Sequence, residues 1–591
     1  MLSNPQIFQS GAEGTVILQQ GGRWLCLTNP VRVLVARRPD EVMGVWQAVE
    51  TAVSHQNLYA AGYISYEAAA ALELATHSPQ PDDPPLVWFG LYDRVAAIEP
   101  PQASGSYRLG DWQPGLSLAA YEQAIGRIKE YIAQGVTYQV NYTFPLRTSF
   151  QGEPLALFAD LTASQRGNYM AYLDIGRYAI CSASPELFFS RQGNQLLARP
   201  MKGTAPRGLT LAEDQAQIEW LRQSEKNRAE NVMIVDMLRN DMGRVARTGS
   251  VAVPDLFAIE RYPTLLQMTS TVTAVSNTPL PQLLTAMFPC ASITGAPKVR
   301  TMQLIRELEC GPRGVYTGAI GLIGPEQAQF NVAIRTVVVD RARETAVYGV
   351  GSGIVWDSDP VAEYEECRLK TEVLTRRQPD FEILEALLWT PQEGYFLWER
   401  HLQRLAETAV YFQYPLDLAQ VEQQLTALAA TLTRPMKVRL QLNSRGQVYV
   451  EAVKLGQLPS PLRVGLAPQP VASSNHWLYH KTTRREVYAA ACAARPNCDE
   501  VLLWNERGEL TEATASNIVL EIGGQKVTPP ISSGLLAGTF RAELLAKGEI
   551  VERVVPVAAL GESTAVYLIN SVRRWQRAEF MHGDKPALSQ P

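Results

Sequence analysis

The sequence predicts an α+β protein in two unequal units: an antiparallel-sheet fold followed by a smaller α+β domain. Three observations carry this expectation. At 591 residues the chain has room for two to four domains at roughly 150 residues each. Helical spacing from Leu118 (Tyr121, Ile125, Ile128, Ile132) shares the first part of the chain with closely spaced strand runs. The polar, proline-containing run Arg376-Arg377-Gln378-Pro379-Asp380 then interrupts the pattern, which restarts with its own helix and strands. The units are therefore expected at 1–376 and 381–591, with no internal repeat between them.

Taken in order, residues 1–115 alternate short apolar stretches with turn signals, including the proline-rich run 78–85, and 99–105 reads as a loop. After the helix from Leu118, strands are predicted at 168–173, 178–182 and 187–191, then one polar helix with a single apolar face over 211–238. Successive antiparallel strands follow at 317–323, 329–339 and 346–351. Asp359-Pro360 is a sound N-terminal signal for a helix running to 374. Beyond the boundary come a helix over 401–412, strands at 436–442 and 448–453, and further helices near the end.

Composition narrows the function. The 54 Lys and Arg against 59 Asp and Glu leave a net charge of −5, without a basic stripe, so nucleic acid is not expected as a partner. Glycine and proline (41 and 38) are scattered without a repeat, which excludes collagen-like chains. No run reaches the ~18 apolar residues that span a bilayer, and residues 1–22 lack the charge and cleavage pattern of a secretory signal. Seven dispersed cysteines with no CxxC pair suggest buried thiols in a reducing cytoplasm. A small-molecule substrate fits best.

Four segments of the first unit place charge in apolar surroundings: Ser182-Ala-Ser-Pro-Glu186, Arg199-Pro-Met-Lys-Gly-Thr204, Glu225-Lys-Asn-Arg-Ala-Glu-Asn231 and Glu363-Tyr-Glu-Glu366. Glu363 and Glu366 are three apart on a helix, as are Asn227 and Glu230, so each pair shares a face. By spacing alone these are two solvated helix faces, or carboxylates gathered round a hard cation such as Mg²⁺. Arg335, alone among apolar residues in Phe330-Asn-Val-Ala-Ile-Arg-Thr336, either clamps a carboxylate or neutralises a buried acid.

Ser184-Pro-Glu186, Met201-Lys-Gly-Thr204, the run Ala229 to Asp241, Ile293-Thr-Gly-Ala-Pro-Lys298, Tyr316-Thr-Gly-Ala-Ile-Gly321 and Gly351-Ser-Gly-Ile354, in this order, resemble the chorismate-utilising enzymes over about 55–375. The resemblance implies Mg²⁺ held by Glu230, Glu363 and Glu366, with Asn227 standing where an acid is usual. It implies chorismate bound by Tyr316, Arg335, Gly351, Gly353, Thr294 and Gly295, and Gln267 stands where many relatives carry histidine. Lys202 matches the nucleophilic lysine of aminodeoxychorismate synthases, where anthranilate synthases resemble Pro-Ile-Ala-Gly-Thr. Glu186 matches the family's general acid/base. No Cys–His–Glu glutaminase is recognisable, so ammonia is expected from a separate glutamine amidotransferase subunit. The family's tryptophan-binding box is not recognisable either.

In the second unit, His401-Leu-Gln-Arg404, His480-Lys481-Thr-Thr-Arg484, Leu510-Thr-Glu512 to Asn517, and Gly534-Leu-Leu-Ala-Gly538-Thr539-Phe-Arg541 resemble the fold-type IV pyridoxal-phosphate enzymes over about 381–580. The resemblance implies a Schiff base at Lys481, Glu512 on the pyridine nitrogen, and the phosphate gripped by Arg404, Gly538 and Thr539. A segment of about twenty residues that usually precedes the Arg404 helix is missing, which bears on an expected homodimer and on pocket closure. Together the resemblances imply a folate-pathway enzyme that aminates chorismate and then eliminates pyruvate to give 4-aminobenzoate. The alternative is an anthranilate- or isochorismate-forming domain joined to a branched-chain or D-amino-acid aminotransferase.

Overall fold

The computed structural model describes residues 12–102, 105–165, 167–371, 374 and 380–581. The expected boundary at 376–380 lies outside the described residues except for Asp380, as do 103 and 104 of the expected loop and 1–11 of the N-terminal stretch. The chain divides into two compact units, Met1–Pro206 with Ile218–Gln378, and Arg207–Gln217 with Pro379–Pro591. The short segment Arg207–Gln217 thus groups with the second unit, an excursion invisible to the sequence division.

The first unit holds two large sheets, and every strand pair described in it is antiparallel. Between them lies a core built from both, including Val16, Leu18, Leu173 and Ile180 of one sheet and Tyr63, Trp88, Ile320 and Leu322 of the other. Helices cover the outer faces. Val42, Trp46 and Val49 of Pro39–Gln56 and Ile234 and Leu238 of Glu225–Gly243 pack on one sheet. Tyr121, Ile125 and Ile128 of Leu118–Ala133 pack on the other. Buried on both faces, strands such as Ala319–Gly324 and Tyr178–Ser182 read as continuous apolar runs without alternation.

Two expected elements are broken, each for a local reason. The helix over 211–238 is two helices, Leu211–Gln223 and Glu225–Gly243, because Ser224 adopts an extended conformation and its hydroxyl caps the second through the amide of Asn227. The strand over 329–339 is also two. Gln327–Val332 belongs to one sheet and Thr336–Asp340 to the other, and the chain crosses between them with Arg335 at φ 50°. A second crossing lies beside it, from Tyr178–Ser182 to Leu187–Gln192. Ala183 N donates to Arg335 O at 3.0 Å and Val332 N to Glu186 O at 3.1 Å, which joins the crossings. The last helix of this unit spans Pro360–Leu369, shorter than expected, and its cap Asp359 accepts from the amide of Ala362 at 2.9 Å.

In the second unit, Ile383–Thr390, Met436–Leu442 and Val448–Lys454 form an antiparallel sheet whose one face packs on the helices Trp398–Phe412 and Leu418–Ala429. A larger mixed sheet carries Leu510–Ala513 and Asn517–Ile522, with parallel pairs such as Leu462–Leu466 on Glu500–Trp504.

Candidate active sites

The paired crossings set the first site. Glu186 and Arg335 sit on them, and both line a cavity of about 430 Å³ with Lys202, Tyr316, Gly351, Gly353, Glu230, Glu363 and Glu366. The Ser-Pro-Glu turn is fixed from within, since Ser184 Oγ donates to Val332 O at 2.6 Å and accepts from Glu186 N at 3.2 Å. Lys202 stands on the strand Met201–Pro206, where pairing with Leu265–Val275 bulges between Met201 and Thr204. Gly353 admits it: a β-carbon there would stand 2.7 Å from Lys202 Nζ and 2.6 Å from Gln139 Nε2.

Burial drives the electrostatics. It pushes the Glu186 carboxyl up to about 7, against the pull of the Ser292 hydroxyl, the Lys202 charge and the Met201 amide, and Glu186 Oε1 has no hydrogen-bond partner among the described residues. Burial likewise lowers Lys202, helped by the Lys370 ammonium and opposed by Glu230, Glu186 and Glu366. Arg335 is lowered by burial too, donates to Gln165, and lies 5.9 Å from the centre of the Tyr262 ring. No carboxylate pairs with it among the described residues, which leaves a desolvated guanidinium facing the cavity.

The three carboxylates proposed for Mg²⁺ share this cavity. Burial raises Glu230, and Glu363 and Glu366 raise it further against Lys202 and Lys226. An oxygen-only set of mutually repelling acids fits a hard cation. Their present positions are held by the protein: Glu363 accepts from Ser358 Oγ at 2.8 Å, and Glu366 pairs with Lys370 Nζ at 2.8 Å. Among the described residues no three His, Cys, Asp or Glu side chains converge as a metal cage. In this arrangement Glu366 is committed to Lys370. Asn227 spends its amide nitrogen on Ser224 Oγ at 2.8 Å.

In the second unit, Lys481 follows the turn His476–Leu478, and its carbonyl accepts from Leu384 N at 2.8 Å. Burial lowers its amine to about 8, with Arg404 and Arg485 adding to the effect and Glu385 and Glu512 opposing it. Glu512 is buried and pushed up to about 7, although it accepts from Tyr488 Oη at 2.7 Å and from Leu536 N at 3.3 Å. Arg404 Nη1 donates to Ala537 O at 3.2 Å. At Gly538 a β-carbon would stand 1.9 Å from Asn517 Oδ1, so this main chain approaches where no larger residue fits. A desolvated amine, a buried acid suited to a protonated ring nitrogen, and a guanidinium beside a helix start fit pyridoxal phosphate.

Residues 99–376 match the chorismate binding enzymes, and residues 382–579 match the amino-transferase class IV family. The chain joins a chorismate-binding domain to a class IV amino-transferase domain. The aminodeoxychorismate synthase component 1 of Bacillus subtilis (strain 168) is 40% identical over 279 residues, 47% of this chain and 58% of the relative. The anthranilate synthase component 1 of Aquifex aeolicus (strain VF5) is 39% identical over 269 residues, 45% of this chain and 54% of the relative. The chain thus spans little more than half the length of these curated relatives. The crystal structure of anthranilate synthase component I from Streptococcus pneumoniae TIGR4 superposes with a TM-score of 0.52 at 22% identity, over 64% of this chain and 95% of that one, which places the fold.

Within the chorismate-binding domain, Thr294 and Gly295 depart from their expected place. Neither lines the cavity. Thr294 is fully buried, with its hydroxyl spent on the carbonyls of Ala291 and Cys290 at 3.2 and 3.4 Å, and Gly295 pairs with Val140 in the wall behind. Gln267 lines the cavity but uses its amide on Gly203 O at 2.8 Å. Sequence reasoning missed Gln139, buried with neither amide atom hydrogen-bonded among the described residues, and Lys370, the counter-ion of Glu366. In the class IV domain it missed Glu385. The available signal was an acid on the inward phase of an apolar strand, in register with Ile383, Leu387 and Trp389.

Proposed function

We propose that the chain makes 4-aminobenzoate, a folate precursor, from chorismate and ammonia in two steps, one per domain. The observation that carries the reading is Lys202: a desolvated amine against Gly353, in one cavity with the proton-holding Glu186 and with Arg335, which has no carboxylate partner among the described residues. Lys202 attacks C2 of chorismate, both ring double bonds shift (to C1–C6 and C4–C5), and the C4 hydroxyl leaves as water with a proton from Glu186. Ammonia then adds at C4, the bond from C2 to Lys202 breaks, and 4-amino-4-deoxychorismate results. Arg335, Tyr316 and the Gly351–Gly353 main chain hold the substrate carboxylates. Mg²⁺, held by Glu230, Glu363 and Glu366, supplies a fixed positive charge for the ring carboxylate when bound.

The class IV domain takes this product. Pyridoxal phosphate, carried by Lys481, Arg404, Glu512, Gly538 and Thr539, supplies an electron sink when bound. Lys481, lowered to about 8, removes the C4 proton of the substrate. The C3–O bond then breaks as the ring becomes aromatic, and the departing enolpyruvate takes up the proton held on Lys481 to become pyruvate. A separate glutamine amidotransferase subunit supplies the ammonia. Seven free cysteines favour a cytoplasmic setting, and no described helix is long and apolar enough to cross a membrane.

Mass spectrometry of products from the purified chain with chorismate, ammonium, Mg²⁺ and pyridoxal phosphate tests the reading. The expected products are 4-aminobenzoate and pyruvate without any added lyase. Anthranilate or isochorismate as sole product overturns it.

A further inference from the structure

The smaller sheet of the second unit has two unlike faces. On one, Ile383, Trp389, Val438, Leu440 and Leu442 join the core beneath the helices. On the other, the alternate positions of Met436–Leu442 are Lys437, Arg439 and Gln441. Register sets Lys437 opposite Leu388 and Arg439 opposite Ala386. Ser571 Oγ donates to Ala386 O at 3.2 Å, which lays the turn bearing Arg573 on this face. Leu384 N bonds Lys481 O and Thr483 N bonds Glu382 O, at 2.8 and 2.9 Å, which brings the segment ending in Arg485 to the adjoining edge.

Four cations therefore gather on this face, and one of them, Arg485, also acts on Lys481. Burial lowers Lys437, and Arg439, Arg573 and Arg485 lower it further. Acids do not balance the group. Arg439 has a surface partner in Glu451 at 3.0 Å, and Arg485 feels Glu512 and Glu500 from within. The guanidinium of Arg485 donates to Thr514 O, and that of Arg573 to Gly456 O at 2.6 Å, both backbone acceptors. Lys437 makes no hydrogen bond or ion pair among the described residues. A desolvated ammonium among like charges costs stability unless an anion joins it.

We propose that Lys437, with Arg485 and Arg573, forms a carboxylate-binding subsite beside Lys481 that takes one of the two carboxylates of the second unit's substrate. This rests on the two-step reading above, in which that substrate is an amino-dicarboxylate. Lys437 acts as an affinity and specificity residue and moves no proton.

The test uses the full chain loaded with pyridoxal phosphate and supplied with 4-amino-4-deoxychorismate. Lys437→Met is expected to raise KM roughly ten- to hundredfold with kcat little changed, and Lys437→Arg to restore KM. Competitive inhibition by isophthalate should weaken in Lys437→Met, whereas inhibition by benzoate should not. If the wild type leaves the substrate unchanged, the reading of the second unit fails. If the wild type is active and Lys437→Met keeps the wild-type KM and isophthalate inhibition, the subsite is overturned, as when acids of a second copy of the chain cover the cluster.

Discussion

Glu385 grips Arg404 through two hydrogen bonds, Nε to Oε1 at 2.8 Å and Nη2 to Oε2 at 2.7 Å, and takes a third from His401 Nδ1 at 2.6 Å. With that proton on Nδ1, His401 Nε2 accepts from Thr539 Oγ1 at 3.2 Å. Arg404 and Thr539, both assigned to the cofactor phosphate, are thereby tied to one buried acid. Glu385→Gln is expected to weaken pyridoxal phosphate binding by roughly tenfold or more, read by absorbance titration.

The same acid sets an acid limit. Burial pushes Glu385 up, but Arg404 and His401 outweigh it and hold the carboxyl near about 2. A depressed folded pKa stabilises above the unfolded value and is lost as pH falls from about 4.5 toward 2. The denaturation midpoint of the second unit should drop across that window, and Glu385→Gln should flatten the drop.

Glu186 gives the opposite sign. Its folded carboxyl keeps the proton to about 7, while the unfolded chain releases it near 4.5. Its contribution is full below 4.5 and declines between 4.5 and 7. Glu186→Gln should therefore gain on the order of 1–3 kcal/mol at pH 8 and little at pH 4, while chorismate turnover is lost. Wild-type amination should decline above about pH 7 as the proton leaves.

Lys202→Ala should lower chorismate consumption on the order of a thousandfold while the second unit still converts added 4-amino-4-deoxychorismate. Parallel loss of both activities would mean a folding defect, which circular dichroism separates.

Chelation should stop the first step and spare the second. Glu363→Gln and Glu366→Gln should each raise the Mg²⁺ requirement roughly tenfold or more. Lys370→Met should lower it by freeing Glu366, a shift measured from initial rates over a Mg²⁺ series.

Much of this was legible in the chain, and the gaps have physical causes. The helix Leu118–Ala133 and the strand Met436–Leu442 follow from periodicity, because each turns one face to a core. The break at Arg335 does not: 329–339 is mostly apolar with strand-forming residues on both sides of Arg335, and only the layout of two sheets decides where it crosses. Lys202 and Glu186 were legible through ordered motifs, whereas Gln139 and Lys370 carry no local signal and gain meaning from Gly353 and Glu366. Thr294 lay inside a motif yet serves the wall, since a motif does not say which of its side chains turn outward.

The bonds from Ala183 to Arg335 and from Val332 to Glu186 couple the two connectors as a single girder. Any sliding of one sheet over the other would carry Glu186 and Arg335 along together, so the spacing between these two side chains would outlast a shift in the floor beneath them.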